Sequence, residues 1–158
     1  MNDKVVDTNV LAVANGRHET ASPSCRTASI KSLKKILENG RIVVDSSGEI
    51  IQEYKTYCSP SGQPGVGDVF FREVLLNYVG KILRVDLPRN SDGSFVDFPT
   101  DSDLLKFDDS DRKFVAAAAK SGAAIVNATD PDWLEHKTAL NKNGIVIEFV
   151  CTEQKSKW

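Results

Sequence analysis

Four acidic side chains, Asp7, Glu53, Asp111 and Asp130, have the types and placement to do chemistry. Asp7 ends a short apolar run, Val5-Val6-Asp7-Thr8-Asn9-Val10-Leu11, and each of the others follows or opens an element further along. Carboxylates forced together repel, so a cluster without a counter-charge raises its pKa values or costs stability, and a divalent ion removes that conflict. Oxygen ligands with no His or Cys cluster suit Mg2+ or Mn2+ rather than zinc. One or two such ions can lower the pKa of a water, hold a phosphate oxygen and stabilise the leaving oxygen, which points to phosphodiester hydrolysis. Thr8 and Asn9 are placed to support a carboxylate or a substrate phosphate by hydrogen bonding.

Each acid also has an ordinary reading. Asp7 can simply end a strand, and Glu53 shares a helix face with Glu49. Asp111 can cap a helix, and Asp130-Pro131-Asp132 reads as a cap and a turn. Only the four taken together change the balance.

The elements that must position them alternate. Lys4 to Asp7, Arg41 to Asp45, Ile82 to Val85, Ala124 to Asn127 and Ile145 to Val150 read as strands, several of them continuously apolar. Asn9 to Ala14, Thr27 to Asn39, Gly48 to Cys58, Asp68 to Val79, Asp111 to about Ser121 and Asp132 to Leu140 read as helices. Ser46 or Ser47 stands as the cap before Gly48, and Gly40 and Gly122 stand as stops. Arg17 to Ser24 and Ser59 to Gly65 read as loops, and Pro88 to Leu105 as a long irregular segment. Such alternation predicts a single-domain three-layer α/β/α fold with a five-stranded, mostly parallel sheet. Ligands of open parallel sheets lie outside the carboxyl ends of the strands, so all four acids can face one rim.

Composition sets the outer limits. A chain of 158 residues fits one domain, expected over residues 1–150, with a polar tail over 151–158. No apolar stretch is long enough to span a bilayer and no secretory signal is apparent, so no membrane partner and a cytoplasmic location are expected. A net charge of −2 argues against holding nucleic acid by bulk positive charge, but not against a metal-loaded nuclease. Cys25, Cys58 and Cys151 form no disulfide framework by their number and spacing and make a poor zinc site. His18 and Cys25 could be read as a base and a nucleophile, or as a surface imidazole and a small buried thiol.

The opening Val5-Val6-Asp7-Thr8-Asn9-Val10-Leu11 resembles the signature of PIN domains, small α/β metal-dependent nucleases. Ile42-Val43-Val44-Asp45-Ser46 followed by Ile51-Gln52-Glu53-Tyr54 is similar to that family's second strand and acidic helix. Asp108-Asp109-Ser110-Asp111-Arg112-Lys113-Phe114 is similar to its third motif. Ala124 to Trp133 is similar to its closing one, with Asp130 as the acid and Asp132 as alternate or partner. The resemblance runs from Val5 to about Phe149, in the family's order. It departs in the Asn127-Ala128-Thr129 link and in the length of the Pro88 to Lys106 stretch.

The resemblance implies strand order 3-2-1-4-5, with Asp7, Glu53, Asp111, Asp130 and Asp132 around Mg2+ or Mn2+ and hydrolysis of single-stranded or structured RNA. It also implies a toxin or defence role, an antitoxin or defence-complex protein as partner, and a homodimer. Arg17, Arg112 and Lys113 are the expected phosphate contacts, while Lys31, Lys34 and Lys35 read as a solvated helix face. Trp133 and Tyr54 read equally well as stacking platforms or core. A non-catalytic module of the same fold and a nuclease acting on DNA are the alternatives. A receiver or haloacid-type phosphatase would need acids beside Asp7 that this chain lacks, having Asn9 two residues on.

Overall fold

Strands buried on both faces need runs of branched apolar residues, and Ile42-Val43-Val44 and Ile125-Val126 supply them with almost no exposure. The computed structural model describes residues 2–18, 21–76 and 80–151. Its strands are β1 (Asn2–Val6), β2 (Gly40–Asp45), β3 (Ile82–Val85), β4 (Ala124–Asn127) and β5 (Ile147–Phe149). They form one sheet in the order β3-β2-β1-β4-β5 with every neighbouring pair parallel, as the resemblance implied. The helices are α1 (Thr8–Ala14), α2 (Pro23–Asn39), α3 (Glu49–Tyr57), α4 (Val66–Leu76), α5 (Arg112–Ser121), α6 (Pro131–Glu135) and α7 (Lys137–Lys142).

Crossovers carry the chain outward from β1 through β2 to β3, then back across the sheet to β4 and β5 on the other side of β1. Helices therefore cover both faces, with α1 packed against α2 and α4, and α5 laid across the central strands. Gly67 is required where α4 meets α1, because a Cβ there would sit 2.3 Å from the Leu11 carbonyl oxygen. The alanine run of α5 gives the matching close approach on the other face, with Ala116 and Ala117 wholly buried.

Several boundaries differ from those read in the sequence. α2 starts at Pro23 rather than Thr27, because the Ser22 hydroxyl accepts the Cys25 amide at 3.1 Å and proline suits the first helical turn. α3 is held not by Ser46 or Ser47 but by Asp45, whose carboxylate accepts the amides of Glu49 at 2.9 Å and Ile50 at 2.8 Å. The helix expected over 132–140 breaks at His136, which leaves helical backbone geometry as its ring nitrogen approaches the Asp132 carbonyl. β5 is shorter than expected, three residues that pair with Ile125 to Asn127 of β4 beside it. Residues 77–79 of the expected fourth helix, and 152–158 of the expected tail, lie outside the described residues.

The cysteine reading is corrected. Cys25 and Cys151 form a disulfide, with Cα atoms 5.0 Å apart, between the first turn of α2 and the second residue after β5. A separation of 126 residues hides that contact from any local pattern. Cys151, placed in the tail by its sequence, is buried.

Candidate metal centre

Val6 stands opposite Val126 in the β1–β4 ladder, so the next residues, Asp7 just past β1 and Asn127 at the end of β4, lie side by side at the sheet's edge. The Asp7 amide extends the ladder by donating to the Val126 carbonyl at 3.0 Å. Between β1 and β4 the crossovers diverge to opposite faces, which opens the crevice where such sheets place ligands.

Asp7 caps α1 through one oxygen, which accepts the Asn9 amide at 3.3 Å. Its other oxygen accepts the Asn9 side-chain amide at 3.0 Å and the Trp133 indole N–H. Asn9 works in two directions. Its Nδ2 also donates to Asn127 Oδ1 at 2.7 Å, and its Oδ1 accepts the Ala128 amide at 2.9 Å. Asn127 in turn accepts the Asp130 amide at 3.3 Å and donates to the Asp130 carbonyl at 3.1 Å. This pair of asparagines fixes the turn after β4 so that Asp130 comes back toward Asp7.

Asp111 arrives from a different element. A single turn of 3-10 helix over Asp109–Asp111 leads into α5, and the Asp111 side chain makes no capping hydrogen bond there. Asp7, Asp111 and Asp130 are all buried, and each offers a carboxylate oxygen within 4.8 Å of those of the other two. Burial, and then the charge of Asp130, pushes Asp7 up to about 7, against the hydrogen bonds from Trp133 and Asn9. Burial, followed by Asp7, Asp130 and Asp108, pushes Asp111 up to about 9.

Two other buried acids mark the contrast. Asp45 is wholly buried, which would raise its pKa, yet the Ser47 hydroxyl and the amides of Ile50 and Glu49 hold it below its usual value. Asp68 accepts from the amides of Ser59 at 2.7 Å and Gly65 at 2.9 Å, and from the Asn15 side chain at 3.2 Å. Those carboxylates are matched by protein donors. In the cluster, Asp7 also accepts from Asn9 and Trp133, and Asp130 from the Asp132 amide at 3.0 Å, but there the carboxylates face one another as well.

Glu53 stands beside the cluster rather than inside it. One oxygen accepts the Thr8 hydroxyl, and the other pairs with Lys113 Nζ at 2.7 Å, while its charge still raises Asp7 and Asp111. Asp132 groups with Asp108 and Asp111 within 4.8 Å, not with Asp7. Arg112 is engaged throughout its length: it donates to the carbonyls of Leu104, Leu105 and Phe107, pairs with Asp109 at 3.1 Å and lies over the Phe98 ring. Those contacts hold the turn that delivers Asp111. Arg17 is exposed and donates to the Tyr57 carbonyl at 3.1 Å. Lys31, Lys34 and Lys35 are exposed.

The sequence missed Asn127, Asp108 and the role of Trp133. Asn127 ends an apolar strand with an amide, and that is the only local signal it gives. Trp133 proves to be core, edge-on to Phe107, with its N–H spent on Asp7. Tyr54 is core too, its hydroxyl donating to the Val6 carbonyl at 2.5 Å just before Asp7. The His18–Cys25 pairing is excluded by the disulfide, and His18 is not a surface residue: it is buried against the Thr129 hydroxyl at 3.2 Å. Burial holds its pKa below the ordinary imidazole value. The remaining thiol, Cys58, is pushed up to about 12 by burial and then by Asp68, and is inert.

The clustered donors are hard oxygens alone, close enough to share one cation, and they fit a hard divalent ion. The long segment after β3 folds over a separate cavity of about 770 Å³, lined in part by Arg89, Phe95, Phe98 and Arg112 and by none of the three clustered acids. No described helix is long and apolar enough to cross a membrane.

No protein-family model matches the chain, and no curated protein does. Among solved structures, that of VapBC2 from Rickettsia felis bound to a DNA fragment from their promoter is similar at 13% identity. The alignment covers 93% of this chain and 98% of that one, with a TM-score of 0.48.

Proposed function

We propose that the chain is a Mg2+- or Mn2+-dependent nuclease that hydrolyses phosphodiester bonds of RNA. One observation carries this reading: three aspartates from separate parts of the chain are buried together near the carboxyl ends of β1 and β4, each with a carboxylate oxygen within 4.8 Å of those of the other two. Isolated buried carboxylates are costly, and proteins keep such groups where a cation or a proton is part of the work.

Asp7, Asp111 and Asp130 would hold the ion. When bound, it would offset most of the cluster's charge, lower the pKa of a water and polarise a phosphate oxygen. The chain's own residues do the rest. Trp133 and Asn9 fix the Asp7 carboxylate, and the Asn9–Asn127 pair fixes the turn carrying Asp130. Asp132 and Asp108 extend the acidic surface past Asp111. Arg17, exposed in the loop after α1, is the phosphate contact of this reading, while Arg112 braces the turn before α5. A toxin or defence effector, restrained by a protein partner, dimeric and cytoplasmic, is the setting the sequence resemblance suggests for such an activity.

The test is cleavage of labelled single-stranded RNA and DNA with Mn2+, Mg2+ or chelator. Metal-dependent endonucleolytic cleavage of RNA, abolished at least 100-fold by Asp111→Asn in a folded protein, is expected. Activity that survives this substitution belongs to a contaminant. Metal binding without cleavage of either polymer would replace the nuclease with a non-catalytic module of the same fold, and cleavage of DNA alone would change the substrate.

A further inference from the structure

Lys113 is the cation that the acidic rim already contains. It lies on the first turn of α5, two residues after Asp111, and its Nζ pairs with Glu53 at 2.7 Å and donates to the Ser110 carbonyl. The Lys113 and Glu53 side chains are only 12% and 24% exposed, and the ammonium sits 5.0 Å from the centroid of the Phe114 ring. A lysine held by a carboxylate, a carbonyl and an aromatic face has lost the freedom that makes exposed lysines weak partners. The second Glu53 oxygen accepts the Thr8 hydroxyl. Both protein donors to Glu53 therefore come from the elements that carry the clustered acids: Thr8 follows Asp7, and Lys113 follows Asp111.

The charge arithmetic shows what this achieves. Asp7, Glu53, Asp111 and Asp130 together would carry a formal charge of −4 when ionised, more than one divalent ion can balance, and Lys113 brings it to −3. Without Lys113, Glu53 would be a hard, half-buried carboxylate near the cluster with one oxygen unmatched, well suited to a second ion. Resting on the metal reading above, we propose that Lys113 occupies the place of a second divalent cation against Glu53, so that the centre binds one ion per chain. Glu53 is then a positioning residue held by Thr8 and Lys113, not a ligand.

Titration of the full chain with Mn2+, followed by electron paramagnetic resonance of the free ion, tests this. Wild type and Lys113→Arg should bind one Mn2+, Glu53→Gln should keep that one, and Lys113→Met should gain a second. The second ion should vanish again in the Lys113→Met/Glu53→Gln double variant. Two ions in wild type, or one ion of unchanged affinity in a folded Lys113→Met, overturns the assignment and leaves the metal reading standing. If Lys113→Met does not fold, Glu53→Gln decides: retention of one ion within about tenfold of the wild-type affinity supports the proposal, and loss of binding overturns it. No Mn2+ bound by wild type overturns the metal reading and this proposal together.

Discussion

At the scale of single residues, Asp7, Asp111 and Asp45 are all buried, and the first two differ from Asp45 in having other carboxylates close by. Asp45 has two backbone amides and a hydroxyl, whereas Asp111 has neighbours of its own sign. The sign of the linkage follows. Both clustered acids have folded-state values raised above the unfolded 3.8, to about 7 and about 9. Between those limits the folded chain holds protons that the unfolded chain has released, so stability of the metal-free protein falls as pH rises from about 4 toward 9. Asp111→Asn removes one source of that cost. We expect it to raise the stability of the metal-free protein at pH 8 by on the order of 2 kcal/mol and to flatten the pH dependence, while abolishing stabilisation by Mn2+. Melting curves of both proteins at pH 5 and pH 8, with Mn2+ and with chelator, measure this. A variant less stable than wild type at pH 8 in chelator would mean that Asp111 is matched by donors, as Asp45 is.

At the scale of elements, the centre depends on a short turn rather than on the strands that flank it. The Asn9–Asn127 contact joins the start of α1 to the end of β4, and through it the turn over Ala128 to Asp130 takes its shape. Asn127→Ala removes the acceptor for the Asp130 amide and leaves β4's apolar residues in place. The expected result is a folded protein whose Mn2+ affinity is weaker by about 10- to 100-fold, measured by titration alongside circular dichroism. Unchanged affinity would show that Asp130 is placed without the asparagine pair. Strands were legible because burial on both faces forces an apolar run, and β3 falls where Ile82 to Val85 predicted. Asp7 and Asp111 were legible because acids at the ends of such elements stand out. Asn127 and Trp133 were not, since their partners are more than 100 residues away and no local spacing encodes them. The position of Glu53 was legible, but not its pairing with Lys113, which depends on how α3 and α5 pack.

At the scale of the whole molecule, the sheet's carboxyl edge is tied together twice. Hydrogen bonds join β4 to β5 as far as the Val150 amide, which donates at 3.0 Å to the carbonyl of Asn127, the residue whose side chain shapes the centre. One residue later Cys151 is bonded to Cys25 in the first turn of α2, an element in contact with β1 and β2. The cross-link thus joins the last strand of the sheet to a helix reached early in the chain, enclosing almost all of the fold in a loop with a separation of 126 residues. Such a loop restricts the unfolded chain strongly, by about 4 to 5 kcal/mol in the chain-entropy account, although measured contributions usually lie nearer 2 to 4. Both sulfurs are buried in the apolar core, so replacement by alanine also removes packing. We expect Cys25→Ala/Cys151→Ala, or wild type melted in reductant, to lose about 2 to 4 kcal/mol of stability by denaturant titration. Because β5 borders the Asn127 turn, Mn2+ affinity should fall as well when the bond is absent. The single variant Cys58→Ala provides the control, since that thiol joins no cross-link and its replacement should leave the response to reductant intact. If reductant leaves both the stability and the metal affinity of wild type unchanged, then strand pairing and helix packing alone hold this edge together, and the centre owes nothing to the bond beneath it.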